Sequence, residues 1–295
     1  MITVMGATGH TGQKIATALL RTGEKVRALG RSESKLEELK KLGADVMAGD
    51  MAKDGFLTKA CRESDAVYTL LSTDRRALNY RAEQDRQGEA TIQAIHESGV
   101  RHLVFLSSLG AELDEGTGLI AGLHAQEERL KQLSDTNVLL LRPASFYENF
   151  YDSLGLIKHQ GITGDSVAPD LAIPMVATCD IADVAAKALT ARDWNGVVVH
   201  ELLGPRHLTY AEATRILGER IGKPDLQYLQ FSYADMVRAL VEGGFSESFA
   251  NLYVTMTQAF NEGVVKPRDG RTPENTTPTR LEDFASELAH AYQEM

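Results

Sequence analysis

Three glycines at three-residue intervals follow the first apolar segment of the chain. In a strand–turn–helix unit, the first glycine allows a tight turn, the second lets the backbone approach a pyrophosphate, and the third lets the helix contact the strand. The N–H groups of the helix N-terminus then attract the same anion. The pattern predicts a dinucleotide site, with a ligand-free turn as the alternative; a P-loop is disfavoured because no Gly-Lys-Ser/Thr follows. The segment reads Gly6-Ala7-Thr8-Gly9-His10-Thr11-Gly12.

The end of the second apolar segment carries cations where many dinucleotide sites carry a carboxylate. Arg31 follows Leu29 and Gly30, and Lys35 lies one turn later. An acidic residue at this place binds the ribose hydroxyls of NAD, whereas an arginine can pair with the 2′-phosphate of NADP and stack on adenine. Helix N-termini favour anions, so two cations near a helix start need another reason. We favour NADPH as the cofactor, and solvated surface charges are the alternative.

Three later apolar segments end in residues that could also contact a ligand, because ligands of open α/β sheets bind outside the carboxyl ends of the strands. Asp50 could bind the adenine amino group, serve as a helix N-cap, or do both. Leu71 and Ser72 would lie beside the ribose and nicotinamide half of the cofactor. Ser107 and Ser108 would face the reacting end, or act only as turn residues.

These residues need a parallel sheet to bring them together, and the first half of the chain has the matching rhythm. Strand-like apolar runs alternate with amphipathic stretches of helical spacing. Alternation at these lengths predicts βαβ units, and right-handed crossovers then predict a doubly wound parallel sheet of the Rossmann type, in the α/β class. The predicted strands are 2–5, 25–29, 45–48, 66–71, 102–107 and 137–142, and the predicted helices are 13–22, 34–42 and 81–98.

After residue 142 the rhythm changes to a strand at 197–203 followed by several helices. We expect residues 1–145 to form an NAD(P)-binding domain whose sheet is completed by segments around 175–203. Residues 146–295 would form mainly a smaller, helix-rich, substrate-binding lobe. Three pairs have capping-box spacing and predict helix starts: Ser34/Glu37, Thr209/Glu212 and Thr279/Glu282. Five aromatic residues of the lobe are interpreted as core in preference to pocket lining: Phe231, Tyr233, Phe245, Phe249 and Tyr253.

Composition excludes several classes of protein. The 295 residues carry 31 Lys and Arg against 41 Asp and Glu, a formal net charge of -10, which argues against nucleic acid and anionic membranes as partners. Cys61 and Cys179 form no C-x-x-C or Cys/His cluster, so we predict neither a disulfide framework nor a metal site. With no signal-peptide pattern and no run of about 20 apolar residues, we expect a cytoplasmic protein. A homodimer or a protein partner stays open.

Together these residues resemble the atypical branch of the short-chain dehydrogenases/reductases. The NmrA-like family, with its NADPH-dependent quinone-oxidoreductase-like members, is the most similar group. The motifs that carry the resemblance are the glycine segment at 6–12, the Arg31/Lys35 pair, Val104-Phe105-Leu106-Ser107-Ser108, the Arg-Pro-x-x-Phe-x-Glu-Asn-Phe pattern at 142–150, Arg271-Thr272-Pro273 and Thr279-Arg280-Leu281-Glu282-Asp283-Phe284. The resemblance implies cofactor contacts from Gly6, Thr8, Gly9, His10, Thr11, Gly12, Arg31, Lys35, Asp50, Leu71, Ser72 and Ser107. It implies pocket contacts to a small-molecule substrate from Ser108, His124, Phe146 and Tyr147.

One departure from the wider superfamily limits the expected chemistry. Its reductases use a Tyr with a Lys four residues later as the proton donor pair, and no tyrosine of this chain has that lysine. Leu123 stands where some relatives keep a lone lysine. His124 remains as the candidate acid, with a structural hydrogen bond as the alternative. We expect a reductase of quinone-like acceptors, which need less acid catalysis. A redox-sensing NADP(H)-binding regulator is the alternative, and an isomerase or dehydratase is the least favoured.

Overall fold

The computed structural model describes residues 1–53, 55–71 and 74–295, and its centre is a seven-stranded parallel sheet. Buried strands read as nearly continuous apolar runs because helices cover both faces of the sheet. Within the described residues the strands are β1 (Ile2–Val4), β2 (Val26–Gly30), β3 (Asp45–Ala48), β4 (Ala66–Thr69), β5 (His102–Leu106), β6 (Asn137–Pro143), β7 (Ser145–Phe146), β8 (Ile162–Asp165), β9 (Ile173–Val176), β10 (Val197–Leu202), β11 (His207–Leu208) and β12 (Gln227–Gln230).

Helices occupy the segments between these strands. Their amphipathic faces pack on the sheet in the first half of the chain and on one another in the second. Within the described residues they are α1 (His10–Arg21), α2 (Glu37–Lys41), α3 (Phe56–Cys61), α4 (Tyr80–Ser98), α5 (Ile120–Leu130), α6 (Leu154–Gln160), α7 (Thr178–Ala191), α8 (Tyr210–Arg220), α9 (Tyr233–Glu242), α10 (Glu247–Asn261) and α11 (Leu281–Glu294), with 3-10 turns at Ser34–Leu36 and Tyr147–Ser153.

The strand order of the large sheet is β10-β6-β5-β4-β1-β2-β3, with every neighbouring pair parallel. The prediction of a doubly wound parallel sheet is therefore confirmed. The chain leaves β1 toward β2 and β3 and then crosses back to β4, so the order reverses between β1 and β4. In open α/β sheets this reversal creates a crevice outside the carboxyl ends of the strands, where ligands bind.

Two hydrophobic layers enclose the sheet, and a third core lies in the C-terminal region. On one face pack α1, α2 and α7, with Ile15, Leu39 and Leu189 among their buried side chains. On the other face pack α3, α4 and α5. The C-terminal core joins the segment after β7 to α8 and α11 through side chains such as Phe150 and Phe284. No helix of the described residues is long and apolar enough to cross a membrane.

The segments expected around 175–203 divide between two sheets. Val197–Leu202 forms the edge strand β10, parallel to β6 in the large sheet. Ile173–Val176 forms β9, which pairs with β7 and β11 in a separate three-stranded sheet. A two-stranded sheet of β8 and β12 stands beside it. The apolar pattern predicts the strand at 197–203 but not its partner strand, because pairing depends on residues far away in the chain.

Two of the three predicted capping boxes are wrong. Thr209 is the N-cap of α8, and its hydroxyl accepts a hydrogen bond from the Glu212 amide at 3.0 Å, as predicted. Before α11, however, the N-cap position is Arg280, because the Thr279 hydroxyl donates to Asp180 at 2.6 Å instead. Ser34 begins the 3-10 turn, and its hydroxyl lies 2.9 Å from that of Ser32.

Candidate functional site

The glycine loop forms the turn between β1 and α1. Gly6 has φ +65°, a conformation that side chains rarely adopt, and its carbonyl oxygen accepts a hydrogen bond from the Gly9 amide at 2.9 Å. A Cβ atom at Gly12 would overlap the Gly6 carbonyl, so the close approach of helix and turn requires glycine there. The Ala7 amide donates to the carbonyl of Leu29 at 2.8 Å, which holds the loop against the end of β2.

The N-terminus of α1 is arranged to attract an anion. Its N-cap is Gly9, and within the described residues no side chain caps the helix and no acidic residue lies in its first turn. The first N–H groups therefore have no intrahelical partner and carry the positive end of the helix dipole. Thr8 contacts the loop side of β2, since a Cβ atom at Gly30 would lie 2.8 Å from its methyl group.

His10 and Thr11, the first two residues of α1, differ in their surroundings. His10 is exposed, and its ring stacks on Tyr151 with centroids 5.6 Å apart. Thr11 is buried, and its hydroxyl accepts a hydrogen bond from Tyr68 at 3.1 Å. His10 thus presents a side chain at the edge of the loop, while Thr11 ties the helix to β4.

The two predicted phosphate-binding cations lie just beyond the end of β2. Arg31 and Lys35 are both exposed, and neither forms an ion pair or a side-chain hydrogen bond with any described residue. Arg27, within β2, is by contrast engaged with Asp45 at 2.7 Å. Because the Ala7–Leu29 hydrogen bond places the glycine loop beside this strand end, the two cations adjoin the anion-attracting turn.

The residues predicted to contact the cofactor at the ends of β3 and β4 differ in their surroundings. A carboxylate oxygen of Asp50 accepts a hydrogen bond from the Ala52 amide at 2.9 Å, and the carboxylate lies 3.7 Å from Arg86, so it shapes its own turn. Leu71 is half-buried and packs against the core beneath the sheet. Ser72 lies outside the described residues.

A buried ion-pair network underlies the end of β5, and sequence reasoning missed it. The Ser107 hydroxyl donates to Glu127 at 2.5 Å. Arg142 donates to both oxygens of the same carboxylate, at 2.9 and 2.6 Å, and to Glu112 at 2.9 Å. The Glu127 side chain is fully buried. One signal was available: Arg142 interrupts an apolar strand, and a charge at such a position needs a partner.

The candidate acid, His124, makes a structural hydrogen bond. Its Nδ1 lies 2.9 Å from the carbonyl oxygen of Ala111, so the Nδ1–H donates to that carbonyl and Nε2 is the ring nitrogen left for a ligand. The Ser108 hydroxyl likewise donates to a neighbouring carbonyl, that of Leu109. Leu123, at the position of the missing lysine, packs between two hydrophobic clusters. His124 is placed in α5, above the loop after β5, and its acid role stays a prediction.

A cavity of about 610 Å³ opens where the C-terminal region meets the end of the large sheet. Ser145 and Phe146, which directly follow β6, line it, as does Leu119 from the loop after β5. Tyr147 does not line it: that side chain is fully buried, and its hydroxyl donates to the Thr279 carbonyl at 3.3 Å. Tyr147 begins the 3-10 turn that follows β7, and its side chain packs into the C-terminal core instead.

Four of the five aromatic residues singled out in the lobe line this cavity, which favours the pocket-lining alternative, and one of the four, Phe249, is also a buried core residue. Tyr233 is 37% exposed and does not belong to the lining. Helical or strand spacing makes the same pattern for core and for cavity wall, which is why sequence could not separate them. The aromatic lining consists of Tyr80, Phe146, Phe150, Tyr210, Tyr228, Phe231, Phe245, Phe249, Tyr253 and Phe260.

Within that lining stands one buried carboxylate that sequence reasoning also missed. Asp165, at the end of β8, is 9% exposed. It accepts hydrogen bonds from the Tyr253 hydroxyl and the Ser166 amide, both at 2.6 Å. Burial raises the pKa of Asp165, and these hydrogen bonds offset part of the increase.

The loop between β5 and α5 packs against the lobe. Gly118 has φ +56°, and a Cβ atom there would overlap the Leu252 carbonyl of α10. A Cβ atom at Gly110, with φ +84°, would lie 3.0 Å from the methyl groups of Val265. These contacts make the loop part of the cavity wall. Across the described residues no three His, Cys, Asp or Glu side chains are grouped as a metal ion would require.

Comparison with known proteins matches one sequence family and relatives that are named as reductases. The sequence model of the NmrA-like family matches residues 1–285. The chain is 30% identical over 224 residues to (4-alkanoyl-5-oxo-2,5-dihydrofuran-3-yl)methyl phosphate reductase of Streptomyces griseus, covering 76% of this chain and 75% of that one. It is 27% identical over 256 residues to Quinone oxidoreductase 2 of Escherichia coli, covering 85% of each chain.

Solved structures share the fold. The NADPH complex of the NADPH-dependent quinone oxidoreductase from Escherichia coli has a TM-score of 0.79 at 23% identity, covering 98% of this chain and 99% of that one. The NADP(H) complex of the triphenylmethane reductase from Citrobacter has a TM-score of 0.78 at 22% identity, covering 98% and 100%. At these identities the likeness establishes the architecture.

Proposed function

Because the chain belongs to the NmrA-like family, we propose that it is an NADPH-dependent oxidoreductase that reduces a small quinone-like or other electron-poor acceptor. Relatives at 30% and 27% identity are named as reductases of small molecules, which supports the general class of reaction. The observation that carries the proposal is the glycine loop beside two exposed cations that form no ion pair with any described residue. The chemistry of the cavity lining determines which acceptor binds.

The residues present fit a dinucleotide phosphate. A side chain at Gly12 would fill the place where the turn and the helix meet, and the uncapped first turn of α1 leaves N–H groups for the pyrophosphate. Arg31 and Lys35 would pair with the 2′-phosphate, and no acidic residue stands at the end of β2 to repel it. When bound, the cofactor supplies the hydride from its reduced nicotinamide.

The ends of β5 and β6 would hold the reacting half of the cofactor. Ser107 is oriented by the buried Glu127, since its hydroxyl hydrogen is committed to that carboxylate and its lone pairs are left for a ligand. Arg142 in turn holds Glu127 in place through two hydrogen bonds. The aromatic cavity that begins at Phe146 would accept a flat acceptor and exclude water from it.

Proton delivery is the least demanding part of this proposal. A reduced quinone oxygen is a delocalised phenolate, so the missing tyrosine–lysine pair is tolerable for such an acceptor. His124 would supply a proton from the loop side through Nε2, since its Nδ1–H is committed to the Ala111 carbonyl. In this division of labour residues 1–145 bind the cofactor and residues 146–295 mainly bind the acceptor.

The same missing pair favours a second candidate function, a redox sensor that binds NADP(H) without turnover. One experiment separates the two. Purified protein is mixed with NADPH and a panel of simple quinones, and oxidation of the cofactor is followed by its absorbance. We expect oxidation with at least one quinone. Tight NADPH binding without oxidation across the panel would favour the sensor.

A further inference from the structure

The cavity beside β6 contains an unbalanced negative charge. Among the described residues that line it, three are charged: Arg75, Asp152 and Asp165. Arg75 and Asp152 lie 3.0 Å apart and neutralise each other. Both are well exposed, and Arg75 also stacks over the rings of Phe245 and Phe249, so this pair belongs to the mouth of the cavity. Asp165 forms no ion pair with any described residue.

Aromatic rings surround the unpaired carboxylate. Tyr253 donates its hydroxyl to Asp165 at 2.6 Å. The Tyr228 hydroxyl donates to the Val167 carbonyl at 2.6 Å and lies 3.3 Å from the backbone carbonyl of Asp165. The rings of Tyr228 and Tyr210 lie 5.5 Å apart. Burial, and after it the negative charge of Asp165, raises the pKa values of all three tyrosines, which places them within the field of the carboxylate.

The hydrogen bonds within the protein do not use all of the acceptor sites of the Asp165 carboxylate. One oxygen accepts from Tyr253, and the other from the Ser166 amide at 2.6 Å, with the Ser166 hydroxyl farther off at 3.4 Å. Two carboxylate oxygens offer about four lone-pair sites, so capacity remains for a ligand. Burial without a cationic partner destabilises the charged carboxylate and so raises the pKa of Asp165. A cationic ligand would remove that destabilisation.

We propose that Asp165 determines the specificity of the cavity and selects flat aromatic ligands that carry a positive charge. Ring faces carry negative charge density and attract cations, with Tyr and Phe both effective when they are desolvated. A carboxylate adds a charge-assisted contact on the same ligand. The cavity volume of about 610 Å³ suits a ligand of two to four fused rings. This inference rests on the proposed function, because it names the acceptor class of the same cavity.

Binding rather than turnover tests the proposal. Protein saturated with NADP⁺, which can donate no hydride, is titrated with N-methylacridinium and with acridine at mildly alkaline pH, where acridine is neutral. The two probes share a ring system and differ in charge. We expect the cation to bind about tenfold more tightly. Equal affinities in the unmodified protein would overturn the proposal without any variant, and would leave the quinone assay unaffected.

The variant Asp165→Asn tests whether Asp165 causes the preference for the cationic probe. Asparagine can accept from the Ser166 amide and donate to the Tyr253 oxygen, so both contacts of the fold can persist. We expect the preference for the cation to fall below about threefold. Asp225→Asn makes the same change of net charge at an exposed position outside the lining and should retain the full preference. Retention of the preference in Asp165→Asn would overturn the proposal.

Discussion

Charge reversal at Arg31 tests the assignment of the cofactor directly. Arg31 is exposed and has no ion-pair partner among the described residues, so its replacement breaks no contact of the fold. Two unit charges 4 Å apart interact by about 1 kcal/mol in water and about 4 kcal/mol near a protein surface. For an exposed side chain the lower half of that range applies, about 1–2 kcal/mol. Arg31→Asp removes this attraction and adds a repulsion of similar size.

The expected loss for NADPH is therefore about 2–4 kcal/mol, or about 30-fold to several hundredfold in Kd. NADH has no 2′-phosphate, and an aspartate can accept hydrogen bonds from its ribose hydroxyls, so its affinity should change by less than about threefold. Isothermal titration of both nucleotides measures the two losses. The NADPH loss should shrink as salt rises, because exposed charges are screened.

Arg101→Asp is the matched control. Arg101 is exposed directly before β5, at the amino edge of the sheet, and so lies on the side opposite the glycine loop. It changes the net charge of the protein by the same amount and should leave both affinities unchanged. Equal losses of NADPH and NADH binding in Arg31→Asp would refute the assignment of the 2′-phosphate to this cation.

Three further predictions concern the glycine turn, the buried ion pair and the buried acid. Gly12→Ala should lower the free energy of unfolding by about 1–3 kcal/mol through overpacking, and abolish nucleotide binding, whereas Gly155→Ala, in open space, should cost nothing in urea titrations. Arg142→Met should cost about 3–5 kcal/mol in the same titrations because the buried Glu127 loses both of its hydrogen bonds from Arg142 and keeps only Lys131, 4.0 Å away, as a cation; a cost below about 1 kcal/mol would contradict the network. The raised pKa of Asp165 means that the folded state holds this proton more tightly than the unfolded state. Its contribution to stability is therefore complete below the ordinary pKa of 3.8 and is lost as pH rises through the raised value. Unfolding measured across this range should show the loss in the unmodified protein and not in Asp165→Asn.

Much of the fold could be predicted because its signals are local. The strand-like runs and helical spacing of the first half place six strands to within about two residues of their observed ends. The Thr209 cap was predicted correctly, since an N-cap and its amide partner are three residues apart. The Thr279 cap was not, because Asp180, distant in sequence, competes for the same hydroxyl. A local pattern carries no information about such a competitor.

The site divides in the same way. Gly6 and Gly12 are required by backbone geometry within one turn, so their spacing in the sequence predicts where an anion can approach. Arg31 and Lys35 follow from their position after a strand. The Ser107–Glu127 contact spans 20 residues and the Asp165–Tyr253 contact spans 88. Those pairs exist only because separate elements pack together.

The amino-acid sequence by itself determined the order of strands and helices, the glycine turn and the cations beside it, since each depends on residues close together in the chain. Only the tertiary structure shows that aromatic residues line a cavity and that Arg142 pairs with a buried carboxylate. It also shows that Asp165 lies among tyrosines and forms no ion pair with any described residue. The physical reason is that burial and the balance of charge are properties of an enclosed volume. Such a volume is formed by segments that are far apart in the chain. Local periodicity does not show which of these segments meet.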